Sequence, residues 1–209
     1  TSLQKLILQI VGSALIVLLM RVITFHVSIP FPFTTGITNV LFVFVFLLLW
    51  ITGFSNAFNL TDGLDGLSSG LGVISFSTYA LIAFRMGERG IGAFCIAIVA
   101  GLLGFLFFNR KPARIFMGDA GSLALGALLA VISVMLSNPW SLLLIGFVYV
   151  VETASVIIQV TSFKLTGKRV FKMSPIHHHF EMIGWSEWKV DIIFWAVGLV
   201  TAIIGLLFF

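Results

Sequence analysis

The 209 residues have a mean hydropathy of +1.15, with 59% apolar residues, only 10% charged ones and a net charge of +4. Soluble domains carry about a quarter charged residues, so this chain cannot cover a water-facing surface and its solvent is lipid. Cys95 is the only cysteine, which excludes an internal disulfide and a metal centre built on several thiolates.

In hydrocarbon the backbone must satisfy itself, and a spanning helix takes roughly 17–25 apolar residues. Seven stretches qualify in chain order: residues 3–24, 40–57, 67–84, 90–108, 120–137, 140–163 and 192–209. The runs are apolar throughout rather than alternating with period two, which excludes barrel strands. Asn138-Pro139 supplies the turn that divides the long run after Asp119. The expected fold is therefore an all-α, polytopic transmembrane bundle of seven spans, in one domain over residues 1–209.

Alternation of seven helices places the N-terminus and the connections 58–66, 109–119 and 164–191 on one side. Nine of the 12 Lys and Arg residues fall there, and only Arg21, Arg85 and Arg89 on the other. By the positive-inside rule the richer side faces the cytoplasm. The high isoelectric point thus reads as topology, and nucleic acid is not an expected partner. Six of the eight acids share that side, which topology does not require. A common site explains it.

Three clusters face this side. In the first, Asn56, Asn59, Asp62 and Asp65 recur every third residue, a spacing that stacks them along one side of a helix. Hard oxygen donors of this kind suit Mg²⁺ or sugar and nucleotide groups, and Gly63 lets a ligand approach the backbone. Either aspartate alone could instead cap the next helix. In the second, Asp119 opens a span between glycines, after Asn109 and the basic residues Arg110, Lys111 and Arg114. It reads as a helix cap or as a metal-binding carboxylate. Phe116 offers either a stacking face for a base or an interfacial anchor. The third cluster holds His177, His178 and His179 amid four cations, and suits phosphate contact or proton transfer better than zinc. Within the sixth run, Glu152, Ser155 and Gln159 share a helix face. That stripe reads either as a seam between helices or as the inner wall of the site.

The segments NAFNLTDGLDG (residues 56–66), FMGDAGS (116–122) and PIHHHFE (175–181) resemble three cytoplasmic motifs of the polyprenyl-phosphate N-acetylhexosamine-1-phosphate transferases. The histidine motif is similar to that of the phospho-N-acetylmuramoyl-pentapeptide transferase branch, rather than the branch using UDP-N-acetylglucosamine. The resemblance implies attack by undecaprenyl phosphate on UDP-N-acetylmuramoyl-pentapeptide, giving lipid I and UMP, in a bacterial plasma membrane with the site facing the cytoplasm. It implies dependence on Mg²⁺, with Asp119 as the metal ligand. Asp62, Asp65, His177, His178 and His179 would act in catalysis. Asn59, Gly63, Asp65, Asn109, Phe116, Gln159 and His178 would contact the donor. It further implies about ten spans and a homodimer. The family's Asp-Asp-x-x-Lys motif is missing from these 209 residues, so the expectation is a C-terminal portion lacking the first helices and inactive alone. A transporter, the rival from another class, would place ionisable residues at the midplane of paired halves. Here Glu152 alone fits that pattern.

Overall fold

A computed structural model of the chain describes residues 2–22 and 39–208. These form the helices α1 (Ser2–Val22), α2 (Val40–Thr61), α3 (Leu67–Arg85), α4 (Arg89–Asn109), α5 (Gly118–Met135), α6 (Ser141–Ile145), α7 (Phe147–Thr166), α8 (Ile176–Met182) and α9 (Glu187–Leu207). No strand occurs among the described residues. This is an all-α, multi-pass membrane bundle.

Among the described residues six helices are long and apolar enough to cross a bilayer: α2, α3, α4, α5, α7 and α9. The seventh expected span, residues 3–24, falls on α1 except for residues 23–24, which lie outside the described residues, and α1 carries the apolar stretch Leu6–Met20. The expected connection 25–39 lies outside the described residues except for Asn39. That residue caps α2 by accepting from the amides of Leu41 and Phe42.

The expected sixth span, 140–163, is a further correction. It breaks at Gly146 into α6 and α7, and α7 runs on to Thr166. Gly146 lies outside the helical region at φ −102°, ψ 25°, and a Cβ there would stand 2.8 Å from the Leu142 carbonyl oxygen. α7 then stops at Gly167, whose φ of 69° is the left-handed conformation that glycine adopts without strain.

α3 lies at the centre of the bundle, with most of its length enclosed. Small residues permit this, because Gly70 leaves the space that the Trp195 indole of α9 fills, and Gly198 does the same for Leu71. α2 and α5 approach more closely still. A Cβ on Gly126 would press on the Phe54 carbonyl and stand 2.8 Å from Ser55 Cα. Between α1 and α2, Gln9 and Asn56 exchange amide hydrogen bonds of 2.9 and 3.2 Å, and Ser13 pairs with Thr52 at 3.1 Å. Reciprocal bonds of this kind hold helices together where lipid offers no partner. Asn56 is therefore occupied by helix packing and does not join the acids that follow it in register.

Candidate active site

α2 runs four residues further than the expected span, so Asn59 sits in its last turn and Asp62 at its C-cap. α5 begins at Gly118, which places Asp119 in its first turn. The close approach at Gly126 brings these two helix ends together. Asn59 Nδ2 donates to Asp119 Oδ1 at 2.9 Å and to Ser122 Oγ at 2.8 Å. Ser122 in turn donates to the Gly118 carbonyl at 2.9 Å, so Asn59 is braced against α5. Asp119 is exposed and Asp62 half-buried. Burial, and secondarily the Asp119 charge, raise the Asp62 carboxyl above its ordinary range, against the hydrogen bond it accepts from Ser68. Two carboxylates that repel each other across an open surface form a place where a divalent cation lowers the energy.

The turn between α2 and α3 carries the remaining acid. Asp65 Oδ2 accepts from the Ala113 amide at 3.0 Å, which ties this turn to the segment between α4 and α5. Asn109, although in the expected donor set, is buried and spent on structure. Its amide donates to the Ile115 carbonyl and its oxygen accepts from Ser69, both at 3.0 Å. Those bonds shape the segment that presents Phe116, which is 76% exposed and offers a free ring face. Lys111 reaches across to Glu187 at the start of α9, and that hydrogen bond raises the ammonium above its ordinary range.

The three histidines occupy three environments, because successive residues of α8 point about 100° apart. His177 is fully buried, with Nδ1 3.1 Å from Glu152 Oε1 on α7. Its ring fills the space left by the missing side chain of Gly63, where a Cβ would stand 2.9 Å from the His177 Cε1. His178 is half-buried and pairs with Glu181 at 2.6 Å. His179 accepts from the Lys172 amide at 3.1 Å and packs edge-on to Phe171. Gln159 turns inward as expected, but its amide is engaged by the 170s. It accepts from the amides of Val170 and Phe171 and donates to the Phe171 carbonyl, at 2.9–3.0 Å.

The structure therefore joins all three clusters at one end of the bundle: Asn59 with Asp119, Asp65 with Ala113, and Gly63 with His177. Sequence reasoning passed over Ser68 and Ser122, the hydroxyls that orient Asp62 and Asn59. Ser122 lay inside the FMGDAGS segment, so a signal for it was present. Asp191 on α9, counted among the acids of this side but placed in none of the three clusters, is buried and without a hydrogen-bond partner. Beside Gln159, a cavity of about 310 Å³ is lined by Val160, Phe163, Met173, Ser174, Lys164 and Arg169, two cations among apolar walls.

Residues 1–137 match the family model described as glycosyl transferase family 4. The chain is 58% identical over 203 residues to a phospho-N-acetylmuramoyl-pentapeptide-transferase of Lactobacillus helveticus, covering 97% of this chain and 63% of that protein. It is 58% identical over 212 residues to the protein of that name from Enterococcus hirae, covering 99% and 64%. For Staphylococcus aureus strain Newman the identity is 56% over 211 residues, covering 99% and 65%. The chain spans somewhat less than two thirds of the length of these curated relatives.

Proposed function

We propose that this chain, which belongs to glycosyl transferase family 4, carries the donor and metal site of an enzyme that transfers phospho-N-acetylmuramoyl-pentapeptide from UDP to undecaprenyl phosphate, yielding lipid I and UMP. The observation that carries the reading is the exposed Asp119 carboxylate, held by Asn59 and facing Asp62, at the end of the bundle where all three motif segments meet. The printed names of the relatives support the muramoyl donor over UDP-N-acetylglucosamine.

The donor set fits Mg²⁺. Among the described residues no group of three or more His, Cys, Asp or Glu side chains could hold an ion alone. Mg²⁺ is ordinarily held by one or two carboxylates together with substrate phosphates and water. Asp119, with Asp62 beside it, would hold the ion, which when bound supplies charge neutralisation to the diphosphate. Asn59 keeps Asp119 in one orientation, and Phe116 presents a ring to the uracil. His178, Lys164 and Arg169 offer donors to phosphate oxygens. The acceptor phosphate is already an anion near neutral pH, so orienting it and screening its charge accomplish more than a base could. The cavity between Phe163 and Met173, with Lys164 and Arg169 at its wall, suits an anionic headgroup on an apolar chain.

The test is UMP release from UDP-N-acetylmuramoyl-pentapeptide by a chimera in which this chain replaces the matching 64% of the Enterococcus hirae protein. Mg²⁺-dependent release with undecaprenyl phosphate is expected, and none from the 209 residues by themselves. A chimera active only on UDP-N-acetylglucosamine would move the chain to the neighbouring branch. The orientation, with this end in the cytoplasm of a bacterial plasma membrane, is tested by single cysteines in a Cys95→Ala background. Ser174→Cys should be labelled only from inside, and Asn138→Cys only from outside. A homodimer is the assembly expected in detergent, measured by light scattering.

A further inference from the structure

Glu152 is left unexplained by this reading. It lies in α7, fully buried, and its partner His177 is fully buried as well. Oε1 approaches Nδ1 to 3.1 Å, and neither side chain has a further hydrogen-bond partner among the described residues. A carboxylate deep among apolar helices is costly to keep. An apolar pair of the same size would pack α7 against α8 at least as well. The arrangement is therefore informative in its direction. Nδ1 of His177 faces Glu152, and the opposite edge of the ring lies against Gly63, in the turn that carries Asp62 and Asp65.

We propose that Glu152 is a positioning residue for transfer: by holding the Nδ1 edge of His177 it fixes the ring beneath Gly63, and so sets Asp62 opposite Asp119. The chain of contacts runs from α7 through α8 to the end of α2, joining residues 152, 177 and 63. His178 lies next to it, with its ring centroid 4.2 Å from that of His177, so the same carboxylate also steadies the His178–Glu181 pair. The inference rests on the functional reading above and goes beyond it, since nothing in the motif pattern required a partner for the histidines inside a span.

The experiment has two arms on Glu152→Gln, which keeps the size and replaces the carboxyl group by an amide. In the first, this chain is labelled with ¹⁵N-histidine in detergent, and the His177 ring nitrogens are identified by their loss in His177→Asn. The substitution should move those signals, and unchanged signals would overturn the pairing. In the second, the substitution is made in the Enterococcus hirae chimera. At least a tenfold fall in kcat is expected, with the KM for the UDP donor changed less than threefold and the melting temperature kept. A purely structural role would instead lower the melting temperature while kcat per folded molecule stayed at the parent value, and that result refutes the proposal. An unsubstituted chimera without transfer refutes the functional reading and the role of Glu152 in turnover together. The ¹⁵N signals then still decide whether the pair exists.

Discussion

The acidic rim and the histidine segment are both polar islands at the end of an apolar bundle, yet they spend their polar groups differently. At the rim, Asp119 and Phe116 remain exposed, and the hydrogen bonds they receive or border serve to aim them outward. In the histidine segment, His177 is sealed against Glu152, His179 accepts from a backbone amide, and Gln159 grips the 170s with three hydrogen bonds. The first region presents chemistry. The second mostly builds the wall that holds it. Polar residues beside a membrane thus mark a site without saying which of them touch the ligand, because buried backbone groups compete for the same donors and acceptors.

The contrast is broken most severely by Asp119→Asn. Turnover of the chimera should fall by roughly a thousandfold, the loss expected when several kcal/mol of metal-mediated charge stabilisation disappears. The melting temperature should hold, because the side chain is exposed. Near-parent turnover with unchanged Mg²⁺ dependence would remove Asp119 from the site. Gln159→Ala attacks the wall instead. Losing three partly buried hydrogen bonds costs about 2–4 kcal/mol, so the melting temperature should drop and the 164–175 segment should become sensitive to protease. Turnover should fall about tenfold through loss of order. If stability is untouched while donor affinity collapses, Gln159 contacts the donor directly.

Asp62→Asn sharpens the comparison in the opposite sense. Burial raises this carboxyl above its ordinary 3.8, so between the ordinary and the raised value the folded chain holds a proton that the unfolded chain has released. Stability is lost as pH rises from the ordinary range through the folded value, and the penalty is full above it. The substitution should therefore raise the melting temperature at neutral pH by roughly a degree or two, with the gain vanishing below about pH 4, while transfer falls. A variant both less stable and fully active would reverse the assignment. The smallest effect belongs to Lys111→Ala. Its pair with Glu187 is at the surface, where such contacts contribute about 0–1 kcal/mol. Melting should shift by no more than about a degree, and a larger loss would mean that the link between α9 and the 109–117 segment supports the rim.

Much of the rim was legible because its residues are local. Asn59, Asp62 and Asp65 share a helical register, and Asp119 sits between glycines at the start of a span, so spacing alone suggested a cluster. Asn56 shows the limit of that reasoning, since its amide answers to Gln9 on another helix. The wall was illegible for the same reason. Gly63 and His177 are separated by more than a hundred residues, and a missing side chain does not name the ring that will occupy its place. The break at Gly146 was hidden differently. A glycine inside a long apolar run is tolerated in membrane helices, and only the crowding by Leu142 and Tyr149 reveals that the helix ends there.

The contact at Gly126 bears on how such a protein can drift. α5 rests with its backbone directly on that of α2, seven residues beyond Asp119 and about 10 Å along the helix. One added methyl group there has no flexible side chain to push aside, so the helices themselves must separate. The 2.9 Å bond between Asn59 and Asp119 spans that same seam. A substitution at Gly126 would therefore register in a genetic screen as damage to the proposed metal site, although the residue lies seven positions away from Asp119. Descendants of this sequence can exchange lipid-facing residues freely, whereas this buried seam confines them to glycine.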